Sequence, residues 1–175
     1  MNVGIIGSGG REHAICYMLN KSKKVSKIFC FPGNAGTGLI AENVNLDLDN
    51  FSELEKLCTE KDLFLACGDL GIYYSGIRQD KKAVPLLQDA CSKGDARACY
   101  WLGHHIKNGD GVERNALKSQ ELFQISCDSG IGDACMALLE FSTAEFQDVV
   151  VRKACLQGSA RGCVWLGNKG LSDLP

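Results

Sequence analysis

Residues 90–99 read Ala-Cys-Ser-Lys-Gly-Asp-Ala-Arg-Ala-Cys, and the same spacing returns at 126–135 and at 154–163. Each copy consists of a cysteine, two residues, a glycine, four residues and a second cysteine. The cysteines at positions 67, 99, 135 and 163 are separated by 32, 36 and 28 residues. Periods of this length are typical of solenoids in which pairs of antiparallel helices stack on one another. The sequence therefore predicts an all-α solenoid over its larger part.

The predicted solenoid covers residues 63–175, with copies at about 67–98, 99–134 and 135–162 and a partial copy at 163–175. Each copy is expected to hold two helices joined by a glycine-rich turn, as at 99–107, 108–112 and 115–127. A leucine–glycine step lies in the first helix at Leu102-Gly103, and it drifts to Leu138-Leu139 in the next copy. One hairpin cannot bury its apolar face alone, so neighbouring copies must stack.

The paired cysteines allow several interpretations. Their constant spacing favours disulfides across the short turn, because the spacing within a repeat varies from 20 to 28 residues. A bridge within a repeat, buried free thiols and a metal site remain alternatives, although the spacing is not that of zinc ligands. Each short bridge would stabilise the fold by about 2–3 kcal/mol. The candidate pairs are Cys91–Cys99, Cys127–Cys135 and Cys155–Cys163, with Cys58 as an available partner for Cys67.

Residues 1–62 follow a different pattern. An apolar run at 3–6 leads into Gly7-Ser-Gly-Gly10, a helical pattern follows, and a second apolar run at 28–31 stops at Pro32-Gly33. A further helix is expected from about residue 50 or 52 to Lys61. The order strand, turn, helix, strand, loop and helix predicts a short α/β, Rossmann-like segment. With about 60 residues such a segment has a small core. We therefore expect it to pack against the repeats, to be poorly ordered, or to self-associate.

The glycine-rich turn can hold an anion, because backbone N–H groups at a helix N-terminus favour negative charge. It is not a nicotinamide fingerprint, since Glu12 stands where a third glycine belongs. The interpretation is a phosphate site, without cofactor or metal. The candidate ligand-binding residues on this turn are Gly7, Gly9, Gly10, Arg11, Glu12 and His13.

Two resemblances support this division. The repeats resemble the Sel-one-like family, related to the tetratricopeptide repeat, through Ala98-Cys99 to Gly103, Asn108 to Val112 and Lys153 to Gly158. The resemblance implies a non-catalytic scaffold that binds a protein or peptide segment. Its cysteine-rich branch is secreted or lies in the mitochondrial intermembrane space, which implies an oxidising compartment.

Residues 7–14 (Gly-Ser-Gly-Gly-Arg-Glu-His-Ala) and 32–37 (Pro-Gly-Asn-Ala-Gly-Thr) resemble the N-terminal domain of phosphoribosylamine–glycine ligase, a purine-pathway enzyme. In that family the glycine-rich turn lies beside the substrate-binding region. The resemblance therefore implies a phosphoribosyl ligand and adds Gly33, Asn34, Gly36 and Thr37 to the candidate ligand-binding residues. After Asp62 the family continues with a third strand and an ATP-grasp region, whereas Leu63–Cys67 leads into a repeat here. Leu63–Cys67 is either the third strand or the first turn of a repeat helix. The resemblance implies that ligase activity is absent.

Other residues give weaker signals. His104 and His105 are interpreted as surface histidines, since adjacent helical residues cannot share a metal on one face. The aromatic residues Tyr73, Tyr74, Tyr100 and Trp101 could line a peptide groove or pack in the interior.

Composition excludes several classes of protein. The chain has 175 residues, 45% hydrophobic and 23% charged, with a net charge of −2 and ten cysteines. We expect no nucleic-acid partner and no membrane span. The start of the chain lacks the features of a signal peptide, which is typical of a cytoplasmic protein. The cysteines instead indicate an oxidising compartment, so localisation stays open. This conflict favours a recombined or engineered chimera, a scaffold fused to a ligase fragment; the alternative is a small-ligand-binding protein.

Overall fold

A computed structural model describes residues 1–45 and 51–170, without the side chain of Phe51. The chain divides into two compact units, Met1–Cys67 and Gly68–Pro175. The first unit carries a small parallel sheet, and the second is mostly helical in its described part. An α/β segment followed by a helical region was expected, and this level of the prediction is confirmed. The sequence predicts a boundary at residue 62, and the first compact unit ends at Cys67.

The first unit is built around a three-stranded sheet in the order β1-β2-β3, with all strands parallel. Ile5 of β1 lies opposite Cys30 of β2, and Phe29 of β2 lies opposite Glu42 of β3. The elements are β1 (Asn2–Gly7), α1 (Gly10–Leu19), β2 (Lys27–Pro32), a 3-10 turn (Thr37–Leu39), β3 (Glu42–Asn43) and α2 (Phe51–Glu60).

Strand β2 is buried on both faces, as expected for the central strand of a parallel sheet. On one face Ile28 and Cys30 form a core cluster with Ile5 and with Cys16 from α1. On the other face Phe31 packs over Gly4, where an added Cβ would lie 3.0 Å from the Phe31 ring. The uninterrupted apolar sequence of β2 follows from this two-sided burial.

Helix α1 forms where the apolar spacing predicts a helix. Cys16 is fully buried, whereas Ile15 and Met18 are 48% and 66% exposed. Cys16 lies in a core cluster with Ile5, Ile28 and Cys30, and Leu19 packs against that cluster.

The segment Leu63–Cys67 is helical rather than a third strand. Leu63 is buried, and α3 (Phe64–Gly76) begins directly after it. The third strand is instead the two-residue β3, which the sequence analysis did not predict. Cys67 is bonded to Cys58, with a Cα–Cα distance of 5.4 Å, so one disulfide lies inside the first unit.

The second unit is a series of helices in which most neighbours along the chain contact each other. Within the described residues no helix is long and apolar enough to cross a membrane. After α3 the elements are α4 (Asp80–Ser92), α5 (Ala96–Asn108), α6 (Ala116–Asp128), α7 (Gly132–Ala137), a second 3-10 turn (Leu138–Phe141), α8 (Ala144–Leu156) and α9 (Ala160–Asn168).

Three turns of this unit share one construction. The disulfides Cys91–Cys99, Cys127–Cys135 and Cys155–Cys163 join the end of one helix to the beginning of the next, with Cα–Cα distances of 4.7, 4.8 and 4.7 Å. The glycine three residues after each leading cysteine has a positive φ, between 83° and 98°. Glycine adopts this left-handed conformation without the steric cost of a Cβ, which ends the preceding helix.

The middle copy departs from the other two at its helix start. Asp95 and Ser159 cap α5 and α9 by accepting hydrogen bonds from backbone N–H groups of the first turn. Ile131 occupies the equivalent position and offers no side-chain cap, and α7 ends after six residues in a 3-10 turn. Losing a cap weakens a helix start by about 1 kcal/mol, in keeping with this short helix.

The leucine–glycine step marks a close approach between helices. An added Cβ at Gly71 would lie 2.8 Å from Leu87, and one at Gly103 would lie 2.7 Å from the Phe123 ring. At Gly167 no atom lies within 4 Å of such a Cβ. The glycine therefore serves packing in the first two helices, and in α9 its position is open.

We expect Gly103→Ala to destabilise the second unit by about 1–3 kcal/mol, because the added methyl group forces Phe123 out of its site. The matched control is Gly167→Ala, which should be neutral or slightly stabilising because alanine favours the helix. Thermal unfolding of the oxidised chain, followed by far-UV circular dichroism, measures both. Equal midpoints for the two variants would contradict the close-packing role of Gly103.

Candidate functional site

The first glycine-rich loop, residues 7–10, connects β1 to α1 and is held closed by Glu12. The Glu12 Oε2 atom accepts a hydrogen bond from the Gly9 N–H at 2.8 Å. Gly7 has φ +138°, and an added Cβ there would lie 2.6 Å from the Glu12 side chain. Glu12, which the sequence places among the ligand-binding candidates, thus fixes the shape of the turn.

The second loop, residues 33–37, follows β2 and the cis peptide bond Phe31–Pro32. The Asn34 N–H donates to Thr37 Oγ1 at 2.7 Å, and the Thr37 N–H donates to Asn34 Oδ1 at 3.0 Å. The Asn43 amide donates to the Asn34 carbonyl at 2.7 Å. Gly33 has φ +79°, and an added Cβ there would collide with Asn43. These contacts make the loop a rigid platform at the carboxyl end of β2.

The structure brings the two loops side by side. Asn34 Nδ2 donates to the backbone carbonyls of Ser8 at 2.8 Å and Gly9 at 3.0 Å. The Gly33 N–H donates to the Gly7 carbonyl at 3.1 Å. We call these paired segments, residues 7–13 and 33–37, the glycine loops. In open parallel sheets, ligands bind outside the carboxyl ends of the strands, which is where the glycine loops lie.

The charged residues of the glycine loops differ in how they are placed. Arg11 is exposed at the start of α1, and no described residue forms an ion pair or side-chain hydrogen bond with it. His13 is half-buried against Gly36, where an added Cβ would lie 2.9 Å from His13 Nδ1. An added Cβ at Gly10 meets no atom within 4 Å, so space is open in front of the helix. The N-terminal N–H groups of α1 and Arg11 together favour an anion.

Two thiols lie beneath the glycine loops. Cys16 and Cys30 are fully buried and are free, with their Sγ atoms 3.1 Å apart. Burial, and then the hydrogen bond with Cys30, raise the pKa of Cys16 to about 12. Since the thiolate is the reactive form, Cys16 is not a nucleophile at neutral pH.

The aromatic candidates of the second unit lie partly in the interior and partly at the surface, the two alternatives that the sequence leaves open. Tyr74 is only 2% exposed, whereas Tyr73 and Trp101 are 46% and 36% exposed. The prediction of surface histidines was wrong, since His105 is 5% exposed and His104 is half-buried. Adjacent polar residues on one helix gave no signal for this burial, which depends on the partners supplied by α3 and by the loop after α5.

The described residues form no metal centre, and a cavity outside the glycine loops lies beside the sheet. Among the described residues no group of three or more His, Cys, Asp and Glu side chains could hold a metal ion. A cavity of about 520 Å³ lies near the amino end of β2, lined by residues that include Val25, Lys27 and Leu39. It contains neither glycine loop, so we do not place the candidate site there.

The fold and the glycine loops define a class of protein segment, a small parallel α/β unit with two joined glycine-rich loops at the carboxyl ends of its first two strands. Residues 1–70 match the family model described as Phosphoribosylglycinamide synthetase, N domain. The predicted resemblance of the first segment to this family is therefore confirmed.

Individual relatives agree with the family model, and all three are phosphoribosylamine–glycine ligases. The enzyme of Caldanaerobacter subterraneus is 43% identical over 63 residues, which are 36% of this chain and 15% of the relative. That of Mesorhizobium japonicum is 38% identical over 98 residues, 55% of this chain and 23% of the relative. That of Rhodopirellula baltica is 56% identical over 46 residues, which are 26% of this chain and 10% of the relative. The chain spans less than a quarter of the length of these relatives.

We expect Asn34→Ala to separate the two glycine loops, because it removes the hydrogen bonds to Ser8, Gly9 and Thr37. Losing about 1.5 kcal/mol of local stability corresponds to roughly tenfold faster amide exchange in residues 8–12. Hydrogen exchange measured by NMR or mass spectrometry provides the test. The control is Asn20→Ala, an exposed residue for which no side-chain hydrogen bond is seen. Unchanged exchange in Asn34→Ala would show that Asn34 does not join the loops.

Proposed function

We propose that the first unit binds a phosphoribosyl compound at the glycine loops. One observation carries the proposal: Asn34 joins the two loops through hydrogen bonds to Ser8 and Gly9 at the carboxyl ends of adjacent parallel strands. The match of residues 1–70 to a phosphoribosylglycinamide synthetase domain supports the same ligand class. The names of the relatives specify phosphoribosylamine and glycine as substrates. Of these two, we propose that the first unit binds compounds of the phosphoribosylamine type.

The residues of the glycine loops take different roles in this proposal. The phosphate group accepts hydrogen bonds from the N–H groups at the start of α1, and Arg11 adds a charge-assisted hydrogen bond. Gly10 lets the ligand approach the backbone, because an added Cβ there meets no atom within 4 Å, whereas Gly33 and Gly36 leave room for the Asn43 and His13 side chains. Glu12 and Asn34 are positioning residues because their side chains are occupied by backbone groups of the loops. His13 lies beside Gly36, within reach of the ribose.

In this proposal the first unit keeps the ligand-binding function of a purine-biosynthesis enzyme domain. The match to the family covers residues 1–70, and the first compact unit ends three residues earlier, at Cys67. The helical unit that follows starts from a different sequence pattern, which supports a recombined or engineered origin for the chain.

The test is a titration of the full oxidised chain with ribose 5-phosphate and with phosphoribosylglycinamide. Binding is detected through the amide chemical shifts in NMR spectra. The amide signals of residues 9–11 are expected to move, whereas ribose without phosphate should leave them in place. Arg11→Gln should weaken binding by about fivefold, the effect of losing one exposed charge pair.

Lys23→Gln is the matched control, because Lys23 is an exposed cation of the same unit outside the glycine loops. It should bind both compounds as the unchanged protein does. The proposal is contradicted if neither phosphorylated compound moves the amide signals. It is also contradicted if the Arg11 and Lys23 variants weaken binding equally.

A second candidate function belongs to the second unit. We infer that it is a Sel-one-like helical-repeat module, stacked as a solenoid, that binds a protein or peptide segment. The observation in its favour is the common construction of three turns, each closed by a disulfide over eight residues and each carrying a positive-φ glycine. Equal turns orient successive helices equally, which is how repeat proteins form an extended binding surface.

A further inference from the structure

Two neighbouring cavities of the second unit share Arg78 and Asp80. One, of about 310 Å³, is lined by residues that include Arg78, Tyr100, Trp101, His104 and Asn108. The other, of about 470 Å³, is lined by residues 78–82 and Gly111. We call the two together the Arg78 groove. It has an aromatic end at α5 and a basic end at the start of α4.

Buried polar contacts hold the walls of the Arg78 groove in place. His105 Nε2 lies 2.7 Å from Ser75 Oγ on α3, and His105 Nδ1 lies 2.9 Å from the Asp110 carbonyl in the loop after α5. Asp80 Oδ1 at the start of α4 lies 3.8 Å from His105 Nδ1. A single buried histidine thus ties three segments together, so the groove is formed before any ligand arrives.

The aromatic end of the groove presents ring surface. The Tyr100 and His104 rings meet edge to face with centroids 4.7 Å apart, and the Trp101 and His104 centroids are 6.5 Å apart. Burial, with a smaller contribution from Lys107, lowers the pKa of His104 below its usual range. At neutral pH His104 is therefore an uncharged ring. Such a surface suits an apolar or aromatic side chain, which gains by offset or edge-to-face contact.

The basic end of the groove includes two exposed cations, Arg78 and Lys81. Arg78 is exposed and has φ +61°, a conformation that few residues other than glycine adopt. No described residue makes a side-chain hydrogen bond or ion pair with Arg78 or with the neighbouring Lys81. The N-cap residue of α4, Gln79, makes no side-chain cap. These cations and the start of α4 together favour carboxylates.

We propose that the Arg78 groove binds an acidic peptide segment, with an aromatic side chain among Tyr100, Trp101 and His104 and with flanking carboxylates on Arg78 and Lys81. This proposal rests on the second candidate function and specifies its partner. Nucleic acid would also offer rings and negative charge. However, a nucleic-acid backbone carries a charge at every nucleotide, which Asp80 and Asp110 in the same walls would repel, whereas a peptide can place its few carboxylates at Arg78 and Lys81 alone.

The test uses a fluorescein-labelled decapeptide that carries one phenylalanine flanked by glutamates in a glycine–serine background. Fluorescence anisotropy with the full oxidised chain measures its affinity. A second peptide with glutamine for every glutamate isolates the contribution of charge. The glutamine peptide, Arg78→Gln and Trp101→Ala are each expected to weaken binding by about fivefold or more.

Lys118→Gln is the matched control, because Lys118 is an exposed cation of the same unit that lines neither cavity of the groove. It should bind the glutamate peptide within about twofold of the unchanged protein, since it removes only a screened distant charge. Circular dichroism of every variant confirms that the helices are intact.

Each outcome decides the proposal. Equal affinity for the glutamate and glutamine peptides would overturn the acidic specificity while leaving the helical unit a peptide-binding module. Binding that is indifferent to Arg78 and Trp101 would overturn the location. Tighter, Arg78-dependent binding of a single-stranded oligonucleotide would replace the peptide with nucleic acid. Failure of every probe would overturn the proposal, and the phosphoribosyl titration of the first unit would be unaffected.

Discussion

The short turn closed by a disulfide is the constraint on which the helical unit depends. In three turns a bridge over eight residues holds the end of one helix within 4.7–4.8 Å of the beginning of the next, measured between Cα atoms. A helix can leave such a turn in few directions, and the positive-φ glycine inside it restricts them further. The close approaches at Gly71 and Gly103 lie between helices that no such turn joins, α3 with α4 and α5 with α6, and they leave no room for a side chain at either glycine. The groove that we assign to an acidic peptide is framed by helices placed in this way.

The first unit depends on a different contact, the clamp that Asn34 makes on the glycine loop after β1. The amide of Asn34 spans from the second loop to the Ser8 and Gly9 carbonyls, while its own carbonyl oxygen orders Thr37. The clamp turns two loops into one surface and leaves the start of α1 and Arg11 open toward solvent. Some polar residues therefore hold the loops together while others stay exposed to solvent. Residue types alone do not distinguish the two groups.

The sequence predicted much of this architecture because its strongest signals are spacings. An invariant interval of eight residues pointed to the bridges across the turn, and two motifs pointed to the α/β unit and to its relatives. The failures have physical causes. The third strand has only two residues, which is too short for any periodicity. His105 looked exposed because its burial depends on Ser75, thirty positions away. The Cys58–Cys67 bridge, for which the sequence offered Cys58 as the available partner, lies within the α/β unit.

The disulfide pairing is the central feature of the helical unit, because the bonded pairs close the turns that place its helices. Peptide mapping of the unreduced full chain by mass spectrometry tests this directly. The structure predicts linked pairs 58–67, 91–99, 127–135 and 155–163, with Cys16 and Cys30 open to alkylation only after unfolding. A link between Cys99 and Cys127, or free thiols at all ten positions, would contradict it.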